Sequence, residues 1–356
     1  MAGQPLVSII ISNYNYGRFL GPAIDSALAQ TFQNLEVIVV DDGSSDNSRD
    51  IMRGYGERII PIFKANGGQP SAFNAGVKAS RGDIVMFLDA DDMLLPETVQ
   101  RVVDAFCRDW TLAKVQFRMQ VIDAEGRPTA EIKPPRFLPL LSGDLRRHVL
   151  AFPDDLTWMA TSGNAFNAAV LRRITPVPER RDGHGADWYL ALVTPLFGPV
   201  LSFDWVGAYY RVHGSNFYDF STVDLGRIRL AIDLMDQTHR YIAKYAGELG
   251  LAKPGSDLEE MRSVAFLGHR LVSYKLDPKN HPIPRESTWR LLRQGIGATR
   301  RRFDVSLGMK LMYSAWFTTM ALAPRPVAFW LAERFFFPET RGELNTVLQI
   351  LHRDHA

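Results

Sequence analysis

Ile84-Val85-Met86-Phe87-Leu88-Asp89-Ala90-Asp91-Asp92 is the stretch on which the fold turns. Its five leading apolar residues have no helical spacing and predict a strand buried on both faces, as in a parallel sheet. Three carboxylates follow within four positions, where such a strand leaves its sheet. Side chains two apart on an extended segment point the same way, so Asp89 and Asp91 are expected to converge. Like charges that close repel unless something positive lies between them. A divalent cation meets that need, and oxygen-only donors favour Mg²⁺ or Mn²⁺. The other reading is an exposed acidic turn in which Asp92 caps the helix starting near Pro96. On this stretch alone both stay open.

Outward from that strand, the first hundred residues alternate strand and helix. Val7 to Ile11 and Val37 to Val40 read as buried strands, and Ile59 to Phe63 as another. Arg18 to Gln30 reads as a helix with Leu20, Ile24, Ala27 and Leu28 on one face. Ser48 to Tyr55 and Ser71 to Ala79 are shorter helices. The helix after Asp92 turns Val99, Val102, Val103 and Phe106 inward. Repeated β-α units of this length predict an α/β fold with a mostly parallel, Rossmann-like sheet and right-handed crossovers. Ligands of such sheets bind beyond the carboxyl ends of the strands. Asn13-Tyr14-Asn15, Asp41-Asp42-Gly43-Ser44 and Asp89-Ala90-Asp91-Asp92 all fall on that edge.

The pattern turns mixed from about Lys114 to Tyr210. Beyond Leu225 it is helical, with turns at Lys253-Pro254-Gly255 and Asp277-Pro278-Lys279-Asn280. A boundary is expected near residue 225, with an α/β part over 1–225 and a helical part over 226–356. A length of 356 residues suits one large domain or two. A net charge of +2 argues against a broad nucleic-acid-binding surface. Charge is nonetheless uneven: Glu36 to Asp109 holds 13 acidic and 8 basic residues, and Arg285 to Lys310 holds 2 acidic and 7 basic. Cys107 is the single cysteine, which excludes an intrachain disulfide and suits a reducing compartment. No CxxC spacing, signal-peptide pattern or membrane-length apolar run is present, so a cytoplasmic location is expected.

Pro5 to Asn15, Val39-Val40-Asp41-Asp42-Gly43-Ser44-Ser45-Asp46, Asn74-Ala75-Gly76 and Phe87 to Asp92, in this order and spacing, resemble the family 2 glycosyltransferases of the GT-A fold. The match runs over roughly residues 5 to 110, the donor half, and continues more weakly to about Ser215 through an acceptor half. The resemblance implies a nucleoside-diphosphate sugar as donor, with contacts from Ser12, Tyr14, Asn15, Asp41, Asp42, Asn66, Gln69, Asp89, Ala90 and Arg211. Asp41 at a strand end suits the uracil N3–H and so a UDP-sugar, although Asp41 and Asp42 also suit a helix cap or Asx turn. Asp89-Ala90-Asp91 occupies the DxD position, and Mn²⁺ or Mg²⁺ is assigned to Asp91, Asp89 and His213. In Gly183-His184-Gly185-Ala186-Asp187, Asp187 stands at the position of the family's catalytic base, where a carboxylate takes the acceptor hydroxyl's proton. Ala186 replaces the family's usual Glu. Phe73 stands where an Arg is common, and no phosphate contact is assigned there.

The resemblance thus implies an inverting, metal-dependent transfer to a saccharide or lipid-linked hydroxyl, in cell-surface polysaccharide or glycolipid assembly. Two alternatives stay open: a polyprenyl-phosphate sugar transferase on the same fold, and a non-catalytic nucleotide-sugar-binding protein. Trp158 to Asn167 is expected on the acceptor side, with Trp158 either stacking on a sugar or packed in the core. The C-terminal part sets Arg285, Arg290, Arg293 and Arg300-Arg301-Arg302 before the aromatic-rich Met309 to Phe337. That pattern suits a peripheral helix at the inner face of an anionic membrane as well as a solvated helical subdomain. The absence of GxxxxGK[ST] and of GxGxxG after the first strand argues against a phosphotransferase and a nicotinamide oxidoreductase.

Overall fold

A computed structural model describes residues 3–180, 183–214, 216, 222–252 and 263–336. The turn expected at Lys253-Pro254-Gly255, together with Ser215 and Phe337, lies outside the described residues. The chain divides into two compact units. One comprises Met1–Arg136, Leu140–Leu145 and Thr157–Asn216; the other comprises Phe137–Pro139, Arg146–Leu156 and Phe217–Ala356.

The first unit opens with β1 (Val7–Asn13), α1 (Gly17–Leu28), β2 (Leu35–Asp41), α2 (Ser48–Gly54), β3 (Ile60–Phe63), α3 (Gln69–Ala79) and β4 (Ile84–Asp89). These four strands pair in parallel in the order β3-β2-β1-β4, as the β-α alternation requires. After them come β5 (Met93–Leu94), α4 (Thr98–Arg108), β6 (Lys114–Ile122) and β7 (Pro128–Lys133). The second unit contributes α5 (Arg146–Ala151) before the first resumes with β8 (Asn164–Asn167), α6 (Ala168–Ile174), α7 (Ala186–Val193) and β9 (Val200–Arg211). The sheet continues from β4 through β8, β6 and β9 to β5, with β7 on β6. Of these later pairings only β6 with β9 is parallel, so the sheet is mixed rather than parallel throughout.

Core packing follows the apolar spacing. Val7, Ile9 and Ile11 of β1 and Ile84, Met86 and Leu88 of β4 meet Leu20, Ala23 and Ile24 of α1 and Val99, Val102 and Phe106 of α4. On the opposite face Phe73 stacks on Phe87 with centroids 4.1 Å apart. The Asn74-Ala75-Gly76 segment has a structural reason. Asn74 Nδ2 donates to the Val177 carbonyl (2.9 Å) while its Oδ1 accepts from the Val177 N–H (2.7 Å), strapping a distant loop to α3. A Cβ on Gly76 would collide with Cγ2 of the fully buried Ile10, so only glycine lets α3 lie this close to β1.

The second unit adds α8 (Leu225–Glu248), α9 (Val264–Leu276), α10 (Thr288–Arg301), α11 (Leu307–Leu322) and α12 (Arg325–Phe336). Buried polar contacts organise it. Arg270 clamps Glu286 at 2.9 and 2.7 Å, Arg302 bridges Asp155 (2.9 Å) and Asp304 (2.6 Å), and His239 meets Asp154 at 2.8 Å. Pro278–Asn280 forms a 3₁₀ turn where the Asp277-Pro278 break is expected.

Gly76→Val is expected to destabilise the chain by about 1–3 kcal/mol through overpacking against Ile10. Urea unfolding checks this, with a lower midpoint and an unchanged slope as the expected result.

Candidate functional site

Three strand ends supply the site's rim, and hydrogen bonds lock them together. Asn13 Nδ2, at the end of β1, donates to Asp41 Oδ1 (3.2 Å) and Ser44 Oγ (3.1 Å). Asn15 adopts a left-handed backbone (φ 57°), which Asn tolerates, and its Oδ1 accepts from the Ser45 N–H at 2.8 Å. Asp41 is fully buried. Its Oδ2 accepts from Arg49 Nε at 2.7 Å and from the Ser44 N–H at 3.2 Å. Burial works against its charge, but the bonds from Ser44, Arg49 and Asn13 outweigh it and hold the carboxyl below its ordinary range.

Asp42 is buried as well and shapes the next loop. It pairs with Lys64 and accepts from the N–H groups of Gly67 (3.1 Å) and Gly68 (2.7 Å). Asn66 Nδ2 donates to the Asp42 carbonyl at 3.0 Å. Ser12 faces this edge half-buried and Tyr14 is 48% exposed, leaving its ring available to a ligand.

Asp89 and Asp91 do come together, although by a different route from strand alternation. β4 ends at Asp89, Ala90 and Asp91 form a turn, and the Asp92 N–H donates back to the Asp89 carbonyl at 3.0 Å. Asp89 accepts from Gln69 Nε2 at 3.3 Å. Desolvation raises its carboxyl to about 8, and the charges of Asp91 and Asp187 add to the effect. Ala90 is buried beneath the turn. Asp92 neither caps a helix nor meets solvent. It is 1% exposed, its Oδ2 accepts from Ser162 Oγ (2.6 Å), and its Oδ1 accepts from the Arg211 N–H (3.0 Å). α4 has Glu97 at its N-cap, with no side-chain hydrogen bond capping the helix. The acidic-turn reading of Asp92 is therefore corrected, because burial and two donors hold it inside.

His213 Nε2 lies 3.0 Å from Asp91 Oδ2. The rings of Phe19 (4.9 Å) and Tyr16 (5.4 Å) hold the imidazole in place. Burial, reinforced by Asp91, Asp89 and Asp92, pushes the Tyr16 phenol up to about 12. Arg211 turns its guanidinium to backbone, with Nε donating to the Asp91 carbonyl (2.9 Å) and Nη1 to that of Ala124 (3.1 Å), over the Phe19 ring. Among the described residues no group of three or more His, Cys, Asp or Glu is placed to hold a metal ion. The Asp91–His213 contact beside Asp89 suits a cation that keeps waters or ligand oxygens in its remaining positions, as Mg²⁺ does.

Asp187 reaches this centre from a distant segment of the chain. It sits in the first turn of α7, behind Gly185 at φ 93°, and its Oδ1 accepts from the Trp188 N–H at 2.8 Å. Gly68 and Gly183 explain how it arrives there. A Cβ on Gly68 would strike the Gly183 backbone, and the Gln69 N–H donates to the Gly183 carbonyl at 3.0 Å. Backbone meets backbone, so α7 starts close to the N-terminus of α3 and brings Asp187 within range of the Asp89 charge. Desolvation raises the Asp187 carboxyl, only partly offset by the Trp188 N–H. Ala186 is fully buried, a position where an ionised Glu would lose its hydration.

Sequence reasoning gave no role to Asp92 as a brace, nor to Tyr16, Arg49 or Lys64, and it placed Thr161 and Ser162 only within the acceptor-side stretch Trp158 to Asn167. Only the DADD run hinted at Asp92; the others are single polar or aromatic residues without a motif. Trp158 packs over the fully buried Lys114 ammonium, 4.9 Å from nitrogen to ring centroid.

A carboxyl whose folded pKa exceeds its unfolded value contributes stability below the unfolded pKa and loses it as pH rises through the folded one. With Asp89 at about 8, melting temperature of the cation-free protein should fall between about pH 5 and 8. Asp89→Asn should reduce that fall by at least about 2 °C. Added Mg²⁺, which must displace the proton, should stabilise wild type more at pH 8 than at pH 5. A fall in melting temperature that is identical in Asp89→Asn would contradict this assignment.

Residues 8–166 match the model of glycosyl transferase family 2. An uncharacterized glycosyltransferase of Nostoc sp. is 39% identical over 214 residues, covering 59% of this chain and 66% of that protein. The uncharacterized glycosyltransferase EpsJ of Bacillus subtilis is 44% identical over 103 residues, covering 28% of this chain and 30% of that protein. The chain thus spans two-thirds or less of the length of these relatives. In three dimensions it is similar to TarS of S. aureus, solved in complex with UDP-GlcNAc: TM-score 0.53, 16% identity, 96% of this chain and 91% of the other covered. That likeness shows a GT-A fold. Residues 8–166 of the chain form a glycosyl transferase family 2 domain.

Proposed function

We propose that the protein is an inverting glycosyltransferase moving a sugar from a nucleoside-diphosphate donor, a UDP-sugar in the first instance, to a hydroxyl of a saccharide or lipid-linked acceptor. Assembly of a cell-surface polysaccharide or glycolipid, at the inner face of the membrane, is the setting that fits. The observation that carries the reading is the approach of Asp187, on α7, to Asp89 at the end of β4. A raised carboxyl is a better base than an ordinary one, and here it stands across from the acids of the donor rim.

Asp187 takes the proton of the acceptor hydroxyl as its oxygen forms the new bond to the anomeric carbon. The bond from that carbon to the diphosphate breaks, and the nucleoside diphosphate leaves with the electron pair. Asn13, Asn15, Asp41 and Ser44 form a fixed polar wall for the nucleoside, with Ser12, Tyr14, Asp42 and Asn66 beside it. Gln69 and the Asp89-Ala90-Asp91 turn face the diphosphate side. Asp91 and His213, with Asp89, would hold Mn²⁺ or Mg²⁺, which neutralises charge on the departing diphosphate. Arg211 acts by holding the Asp91 turn through its carbonyl.

A thermal-shift titration with UDP, GDP, dTDP and CMP, with and without Mn²⁺, tests the donor half. UDP is expected to give the largest stabilisation, strengthened by metal and reduced in Asp91→Ala. Asp187→Asn should keep that shift while lowering turnover by about 10²–10⁴-fold. Its pH–rate profile should lose the limb that rises as wild-type Asp187 deprotonates. Near-full activity in Asp187→Asn would favour an acceptor already ionised, such as a lipid phosphate. Normal UDP binding with no turnover on any acceptor would favour a non-catalytic role.

A further inference from the structure

α11 is amphipathic in neither the usual sense nor the usual direction. Met309, Phe317, Met320 and Ala321 are buried. Its solvent side should then be polar, yet Leu307, Leu311 and Leu322 are 73%, 63% and 63% exposed. These positions, with Ala315 and Thr319 between them, follow helical spacing along one outward stripe. Lys310 is the single charge in the sixteen residues of this helix. Neighbouring helices extend the pattern, with Trp289 on α10 and Trp330 on α12 exposed at 67% and 47%. α11 packs on both: a Cβ on Gly295 would meet the Phe317 ring, and Trp316 stacks on Phe335 at 4.1 Å.

The segment that carries this stripe is cationic. Residues 285–336 contain nine Lys or Arg against three Asp or Glu. Two of those acids are engaged within the unit, Glu286 by Arg270 and Asp304 by Arg302. Arg290, Arg293, Arg300 and Arg301 are exposed. An isologous contact between two copies would set cations against cations, which disfavours self-association. Among the described residues no helix is long and apolar enough to cross a membrane.

From this exposed leucine stripe, the exposed tryptophans of α10 and α12 and the exposed arginines of α10, we infer that α10–α12 lie flat on an anionic lipid surface. Leu307, Leu311 and Leu322 enter the acyl boundary, Trp289 and Trp330 sit at headgroup depth, and the arginines face lipid phosphates. The inference deepens the peripheral-membrane part of the proposed function, and its readout needs neither nucleotide nor acceptor, so the two readings fail separately. The full chain is centrifuged with phosphatidylcholine vesicles and with vesicles carrying about 30% phosphatidylglycerol, at 50 and 300 mM salt. Binding to the anionic vesicles alone is expected, weakening at high salt. Leu307→Glu/Leu311→Glu should reduce it at least about tenfold, with far-UV circular dichroism and melting unchanged because both residues are exposed. Arg300→Glu/Arg301→Glu should weaken it to a lesser degree. Folded wild type left in the supernatant at 50 mM salt overturns the inference, as does a leucine double variant that sediments like wild type. A chain dimeric in light scattering, dispersed by the leucine substitutions and indifferent to vesicles, overturns it in favour of self-association.

Discussion

The buried carboxylate of Asp92 is the constraint on which the site depends. It takes one hydrogen bond from Ser162 Oγ and another from the Arg211 N–H, while Ser162 Oγ also accepts from the Asp89 N–H at 3.0 Å. Three segments from distant parts of the chain therefore meet at one side chain: the end of β4, the approach to β8 and the end of β9. Burial raises the Asp92 carboxyl well above its ordinary value, with Asp91 and Asp89 adding to the rise. A group that costs so much to ionise keeps its place only because its donors are fixed, and those donors in turn locate Asp91 and His213.

Around that brace the protein separates stiff support from reactive groups. Asp41 and Asp42 are saturated with bonds from Asn13, Ser44, Arg49, Lys64 and two glycine N–H groups. They hold the shape of the nucleoside side. Asp89 and Asp187, by contrast, are incompletely compensated and titrate upward. Displaced pKa values of this kind mark groups available for proton transfer or cation binding. The same division appears in Arg211, which the motif suggests for the diphosphate and which here is bonded to backbone carbonyls.

The helical unit follows another logic. Its interior is tied by Arg270–Glu286 and Arg302–Asp155, pairs that tolerate burial because each carboxylate is met by a guanidinium. With the charges inside paired, apolar side chains of α11 are left on the outside. That inversion is a property of packing, since heptad-like spacing on a helix with apolar residues on two sides does not say which side is buried.

Much of the fold was legible because β1, β2 and β4 are unbroken apolar runs between amphipathic helices, a pattern with few alternatives to a parallel sheet. The polar ends of those strands had to share one edge, so Asn13, Asp41 and Asp89 were readable as neighbours before any coordinates. Among the later strands, β8 and β5 were not, because they are four and two residues long, too short for periodicity to register. Tertiary structure alone decided that Asp92 is a buried brace rather than a cap. It also decided that Gly68 and Gly183 meet and so carry Asp187 to the rim. Each is a contact between residues far apart in the chain, and local spacing encodes which face a side chain takes but not which distant backbone will lie against it.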